Sequence, residues 1–554
     1  MMGTSVGRLR ALCLAAAAVL LLTGLGRIGL WAPDEPRYGQ VAEEVRQLAH
    51  GPSDLVLLHL NGEPYDQKPP LYYWLAALAG APGGRVTELD ARLPSALAGI
   101  ATVGLTIALG TWLFGPASGL LAGALLLTTV EFAHLGRRVA LDVLLTFLEA
   151  AALVAFWRLD RGAPRRTRWL LAMHGAMGLA VLTKGPVGFL LPLLAIVAFL
   201  AWERRLREIG RSFPAWGLLL SIGPGLAWIS AAILLAPKGF AFDAVWRNLI
   251  DRFFHGSSHA RPGLYYFLQF PVVGLPWTVL WPLIAALGAR RVLRADAEPG
   301  RARAWRFLLA WIGAMFVFFS VSSGKRGLYM LPALPAAALL CADAVVLAAA
   351  ARASWPRFVS ALLGASGLLL AGGALLVSFH HVVKHVDVPR SFGVAAAASI
   401  ALAFFAWRWL GRRLAGSSRL LAQAAVVPAA VLALELAVFV LLFPAFDAEK
   451  SPRPIAEAAA AQVPPDGAIG LVGSEGLLGG LVYYGHRPVR QLLDDAAVAD
   501  FAAAGGQAIV VQKKELERVT RVVPVQEISG TRAGRRSILV VRPLPPSEGK
   551  PAGP

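Results

Sequence analysis

Apolar runs long enough to cross a bilayer recur about thirteen times along this chain, and that repetition restricts its fold more than any other feature. They fall near residues 10–30, 93–114, 116–134, 139–157, 169–183, 186–202, 213–236, 264–288, 305–322, 327–350, 358–379, 392–407 and 420–444. Glycine–proline pairs such as Gly115-Pro116 and Gly185-Pro186 punctuate several ends. Only 16% of the residues are charged, against about a quarter in soluble domains, so the surplus apolar area has to face lipid. The expected class is therefore a polytopic α-helical membrane protein.

Arginines set the orientation. With the N-terminus inside, Arg8 and Arg10, "RLDRGAPRRTR", "ERRLREIGR", the stretch Arg290 to Arg306, Arg352 with Arg357, and Arg408 to Arg419 all fall on one side. Those short segments hold 23 basic residues, which is the positive-inside pattern and predicts a cytoplasmic N-terminus. The net charge of +19 is thereby accounted for. No basic stripe interleaved with aromatics stands on a soluble segment, so no nucleic-acid partner is expected. The apolar stretch after Arg10 resembles a signal peptide but lacks an evident small-residue cleavage site, and reads as an uncleaved first helix. Cys13 and Cys341 each lie inside an apolar run and read as packing residues.

An odd number of spans places residues 445–554 on the outer face. There "AIGLVG", "AIVVQ" and "SILVVRP" are short β-branched runs, separated by helix-like stretches such as "DDAAVADFAAAGG" and "KKELERV". The expected organisation is thus a transmembrane domain over residues 1–444, with long outer loops at 31–92 and 237–263, followed by a small α/β domain over 445–554 on the periplasmic side.

Basic residues on the outer face run against the topology bias. They are Arg37; Lys68 in "DQKPPLYYW"; Arg137 and Arg138 in "GRRVALD"; Lys184 in "LTKGP"; Arg261 in "HARPGLYY"; and Lys325 with Arg326 in "SSGKRGLYMLP". Any one could snorkel to headgroups or pair with a carboxylate. Placed at six separate outer junctions, they instead suggest a site for a phosphate or pyrophosphate carried on a lipid. Two carboxylates share that face. Asp34 opens "DEPRYGQVAEEV", where it reads as an N-cap with Pro36 in the first helical turn. Asp142 lies five residues after Arg137, the simplest ion-pair partner being Arg137 or Arg138. The i, i+4 pair His255 and His259 has glycine between its members and is a weak zinc signal.

The motifs "PDEPRYGQVAEEV", "KPPLYYWL", "GRRVALDVLLTF", "TKGPVG", "HARPGLYYF" and "SSGKRGLYMLPALP", in that order, resemble the lipid A aminoarabinose transferase group within the dolichyl-phosphate-mannose protein mannosyltransferase-like membrane glycosyltransferases. The resemblance runs from about residue 31 to 335 and resumes at "FPAFDAEKSPRPIAE". It implies a GT-C fold in the bacterial inner membrane. It also implies inverting transfer of a sugar from a polyprenyl (undecaprenyl) phosphate carrier to lipid A or another lipid, glycan or protein acceptor on the periplasmic face.

On that resemblance Asp34 and Asp142 match the catalytic acids, and Lys68 and Arg37 match the groups that touch the carrier phosphate. Tyr38, Arg137, Arg138, Arg261, Lys325, Arg326 and Tyr329 are expected to bind donor phosphate or sugar. It also implies a divalent metal such as zinc, held in some relatives by a glutamate just before the lysine of "KPP" and a histidine of the later outer loop. This chain has Gln67 at the first position, a poor ligand, which leaves Asp66 and His259 as the candidate ligands. A hydroxyl acceptor would need Asp34 or Asp142 as general base, whereas a phosphate acceptor is already an anion. The rival class is a polytopic lipid or sugar transporter or flippase. Against it stand the long first outer loop, the soluble tail and the lack of a visible internal repeat.

Overall fold

The computed structural model describes residues 2–243, 246, 261–293, 298–350, 355–378, 388–533 and 536–545. It comprises two compact units, one of Met1–Thr23, Asp66–Tyr72 and Leu93–Leu442, the other of Gly24–Tyr65, Tyr73–Arg92 and Phe443–Pro554.

The first unit is helical. Among the described residues six helices are long and apolar enough to cross a membrane: Glu88–Phe114, Ala215–Leu235, Pro299–Val321, Gly327–Ala350, Arg390–Arg413 and Gly416–Lys450. Two further pairs are bent at a short break, Pro116–Leu127 with Val130–Gly136 by 67° and Tyr265–Val273 with Trp277–Gly288 by 107°. The sequence count of thirteen treated every apolar run as one straight span. The structure divides some of them, and others are short, such as the 16-residue Val187–Trp202. Helix Leu141–Asp160 carries Asp142, Glu149, Arg158 and Asp160 and so is more polar than a plain lipid-facing span.

Small residues let these helices meet. A Cβ on Gly110 would fall 2.7 Å from the Gly119 Cα, so the helices on either side of Gly115 touch backbone to backbone. Cys341 is buried among these helices, its sulfur 4.0 Å from the Trp277 carbonyl. At one end of the bundle several arginines are paired. Asp160 receives Arg205 at 2.8 Å and Arg303 at 2.7 Å, and Glu203 receives Arg306. Buried Asp343 accepts the indole N–H of Trp305 at 2.8 Å and lies 3.3 Å from Arg301. Asp142 sits at the other end of the same helix as Asp160, about 27 Å away at 1.5 Å per residue.

The second unit holds a five-stranded sheet in the order β4-β3-β5-β7-β6. A separate two-stranded hairpin precedes it in the chain, β1 (His59–Leu60) with β2 (Glu63–Pro64). In the sheet β3 (Ile469–Val472), β4 (Val489–Gln491) and β5 (Ile509–Gln512) run parallel, and β6 (Val525–Ala533) and β7 (Arg536–Pro543) close it antiparallel. The runs "AIGLVG", "AIVVQ" and "SILVVRP" supply β3, β5 and β7. Their alternate residues Val472, Ile509, Val511, Leu539 and Val541 build the core with Val498, Phe501 and Val519 from the covering helices. Helix Asp495–Ala503 is capped by Asp494, which accepts the Ala497 N–H at 2.8 Å.

Most of the long loop at 31–92 belongs to this same unit. The hairpin turns on Asn61 and Gly62, both at positive φ as a type I′ turn requires. The Asn61 side chain then takes the place of a strand neighbour at the open edge of β4. Its amide donates to the Val489 carbonyl at 2.8 Å and accepts the Val489 N–H at 2.9 Å.

Candidate active site

In the helical unit the site grows from the start of helix Leu141–Asp160. Tyr72, which ends the "KPPLY" turn, shares a 2.7 Å hydrogen bond with Ser95 Oγ. Ser95 Oγ also receives the Ala140 N–H at 3.1 Å, so the turn that carries half-buried Lys68 is tied to the residue preceding the helix of Asp142. Asp142 forms an ion pair with Lys184, from the end of helix Arg166–Lys184. The partner expected from sequence was Arg137 or Arg138. Arg137 instead reaches back to the first helix, donating to the carbonyls of Leu20 and Thr23, where unpaired C=O groups end a helix, and stacking 4.6 Å from the Phe439 ring.

Lys184 Nζ also lies 4.5 Å from the centre of the Tyr329 ring, so carboxylate, ammonium and aromatic face form one group. Tyr329 belongs to "GKRGLYM", and that segment is fixed by Tyr266, whose hydroxyl donates to the Arg326 carbonyl at 3.0 Å. The Arg261 N–H donates to Ser323 at 3.3 Å, which brings the "HARPG" motif against the "SSGKR" loop, with the Arg261 side chain exposed. Lys325 behaves differently from the expectation that it faces a ligand: its side chain is buried and its ammonium donates to the Ser322 carbonyl. Glu149, two turns along from Asp142, is fully buried, and its carboxylate has no hydrogen-bond partner among the described residues.

The second unit supplies another carboxylate–cation pair. Helix Asp34–Gln47 begins at Asp34 itself, with Pro33 in the cap position and no side-chain cap bond. The capping role read from sequence is therefore corrected: the Asp34 carboxylate is turned to Arg37, one turn on, at 2.5 Å. Both side chains stay about a quarter exposed, so the pair is accessible. The Arg37 guanidinium lies 5.1 Å from the centre of the Tyr38 ring. Tyr38 packs edge-on to Tyr73 at 5.9 Å, and Tyr73 to Tyr65 at 6.0 Å. Burial raises the Tyr38 phenol well above its ordinary range, as do the neighbouring Tyr65 and Asp34, so it stays a neutral donor.

The neighbouring Glu35 has a different task. It is buried and accepts two 3.0 Å bonds from Arg92, which is fully buried and also donates to the carbonyls of Leu25, Ile28 and Gly29. That clamp fixes the first turn of the helix that presents Asp34 and Arg37.

Asp34, Arg37 and Tyr38 thus stand together in one unit, and Lys68, Asp142 and Tyr329 are positioned in the other. Asp66 is half-buried in the turn before Lys68, Arg138 is half-buried at the "GRRVALD" junction, and Arg326 is fixed through its backbone. His259 lies outside the described residues, so the Asp66–His259 metal pair has no geometry to weigh. Lys184 stood among the outer-junction cations of the sequence but was given no individual role, and the phenols of Tyr65 and Tyr73 were not assigned to the site. Lys184 carried a signal, as a lysine at an outer junction. Tyr65, in "EPYDQ", and Tyr73, in "LYYW", carry no local signal that sets them apart from other aromatics near a membrane surface.

Comparison with known proteins bears on this geometry. The dolichyl-phosphate-mannose-protein mannosyltransferase family model matches residues 13–245. An undecaprenyl phosphate-alpha-4-amino-4-deoxy-L-arabinose arabinosyl transferase of Aeromonas salmonicida is 30% identical over 402 residues, 69% of this chain and 68% of that protein. The protein of that name from Pseudomonas savastanoi pv. phaseolicola is 32% identical over 342 residues, and the match spans 61% of its length and 61% of this chain. The crystal structure of ArnT from Cupriavidus metallidurans bound to undecaprenyl phosphate superposes with a TM-score of 0.73 at 24% identity, covering 96% of this chain and 97% of that one. The fold is therefore that of a multi-helix membrane glycosyltransferase.

Proposed function

Since the chain belongs to the family of undecaprenyl phosphate-alpha-4-amino-4-deoxy-L-arabinose arabinosyl transferases, we propose that it transfers a sugar from an undecaprenyl phosphate carrier to lipid A, with inversion at the anomeric carbon. The names of the curated relatives support this reading over a transporter or flippase. We further assign the chain about thirteen membrane passes over residues 1–444, a cytoplasmic N-terminus and a periplasmic α/β domain over 445–554. The opposed ends of helix Leu141–Asp160, one braced by inner arginines and one bearing Asp142, support that orientation.

The observation that carries the reading is the Asp142–Lys184–Tyr329 group beside the anchored "KPPLY" turn. In the reaction the acceptor oxygen bonds to the anomeric carbon while the bond from that carbon to the carrier phosphate oxygen breaks. The electron pair stays on the phosphate, whose developing charge needs fixed cations. Lys68, Lys184, Arg138 and Arg37 are assigned to it, with Arg261 and Arg326 guiding the anionic headgroup. Arg137 and Lys325 support the site through the backbone carbonyls they hold. Tyr38 and Tyr329 offer a hydroxyl and a ring face to the sugar.

Asp34 and Asp142 are assigned to the sugar and acceptor. With a hydroxyl acceptor either carboxylate takes the proton; with a lipid A phosphate no proton moves, and they orient the sugar through its amino group. A divalent metal on Asp66 and His259 belongs to the same proposal, and no step depends on it. The test is mass spectrometry of lipid A from a deletion strain complemented with wild type or Asp142→Asn. The aminoarabinose addition should return with wild type only; full modification with the variant would remove Asp142 from the mechanism.

A further inference from the structure

His50, Asp54 and His59 converge at the far end of the helix that begins with Asp34. The chain leaves that helix through Leu48 at positive φ and turns at Gly51, after which a 3-10 turn, Pro52–Leu55, brings Asp54 back under His50. The Asp54 Oδ2 accepts the His50 backbone N–H at 2.9 Å, which aims Oδ1 the other way. Strand β1 opens with His59, whose Nδ1 lies 3.2 Å from that Oδ1; His50 Nδ1 lies 3.3 Å from it. One donor atom from each of the three residues falls within 4.8 Å of the other two.

Hydrogen bonding accounts poorly for this cluster. Charge-assisted N–H···O bonds run at about 2.7–2.9 Å, shorter than either separation. The Asp54 Oδ1 and His59 Nδ1 are both buried and have no hydrogen-bond partner among the described residues, whereas buried polar atoms in folded proteins are nearly always satisfied. Metal ligation accounts for it well. Ligands at about 2.0–2.2 Å around a tetrahedral zinc stand roughly 3.3 Å apart along each edge, close to the two separations observed. Two imidazole nitrogens and one carboxylate oxygen suit zinc or its neighbours in the first transition row.

We propose that His50, Asp54 and His59 bind a divalent transition metal of the zinc class. Water completes the coordination on the side of His50, whose side chain is half exposed, while Asp54 and His59 close the buried side. The ion pins the segment after helix Asp34–Gln47 to strand β1 and is independent of the transfer reaction and of any metal on Asp66 and His259.

The test uses the full-length protein in detergent, stripped with chelator, dialysed against zinc and counted by elemental mass spectrometry. Wild type and the Asp66→Asn/His259→Ala double variant should each retain this zinc, and His59→Gln should lose it. Because His59 is buried, His50→Gln serves as the second variant. It should keep a wild-type elution profile and weaken zinc binding by at least the order of 10- to 100-fold that follows loss of a second-shell partner. Cobalt loading should give the intense visible bands of a four-coordinate site in wild type and in the Asp66→Asn/His259→Ala variant, and not in His59→Gln. Zinc content equal to wild type in both histidine variants, or no bound zinc in wild type after loading, overturns the proposal.

Discussion

Replacing Arg92 with methionine removes a guanidinium that is fully buried and makes five hydrogen bonds, two to Glu35 and three to the carbonyls of Leu25, Ile28 and Gly29. Methionine fills much of the space, so the loss is electrostatic: a buried carboxylate without its cation. Removing one partner of such a pair costs about 3–5 kcal/mol. For a cooperative unit of 150–250 residues each kcal/mol lowers the midpoint by about 2–4 °C, so the variant should melt roughly 6–20 °C early.

A second substitution sharpens this. Glu35→Leu in the Arg92→Met background removes the stranded carboxylate as well, so the double variant should be more stable than Arg92→Met alone. Thermal unfolding of the purified protein in detergent, followed by tryptophan fluorescence, reads both. Because the clamp holds the turn that presents Asp34 and Arg37, Arg92→Met should also lose transfer activity at temperatures where it is still folded. A midpoint within 2 °C of wild type for Arg92→Met, or a double variant no better than the single, would refute the reasoning.

Asp142→Asn should lower sugar transfer in membranes by on the order of 10²–10⁴-fold with little change in expression, if the carboxylate moves a proton. Lys184→Ala should lose transfer as well, whereas Lys184→Arg keeps a cation there and should retain part of it. Asp494→Ala removes the cap of helix Asp495–Ala503 and should cost about 1 kcal/mol, seen as a small fall in melting temperature with activity unchanged. Burial raises the Glu43 carboxyl, but its bonds from Arg46, Gln47 and the Val86 N–H prevail and hold it below the ordinary range. A depressed folded pKa gives stability that is present above the unfolded value, near 4.3, and fades as pH falls through the folded one. Glu43→Gln should therefore flatten the acid side of a melting-temperature profile taken from pH 7 to pH 3.

Much of this was legible in the chain because it rests on local pattern. Strands β3, β5 and β7 follow from runs of Ile, Val and Leu bounded by Gly and Pro; the Asn61-Gly62 hairpin, which the sequence reading left within the long 31–92 loop, has turn chemistry of its own. What failed was pairing across distance. Asp142 and Lys184 are 42 residues apart, and nothing in "GRRVALD" says that its aspartate will pass over two adjacent arginines for a lysine on another helix. Asp34 has the spacing of a cap, yet Pro33 takes that position and frees the carboxylate for Arg37. The straightness of each span was not read either: hydropathy measures the length of an apolar run and says nothing of the bends of 67° and 107° near Thr128 and Gly274.

Helix Leu141–Asp160 behaves mechanically as a strut clamped at one end and lightly latched at the other. Its arginine-rich end is held by two guanidiniums on Asp160 within a wider braced lattice, while at the opposite end the Asp142 side chain is latched, among the described residues, through Lys184. An anion arriving at the latched end has one ammonium to draw away from one carboxylate. The exchange can occur without unpacking the helix, because the clamp that keeps it in register lies some five turns distant.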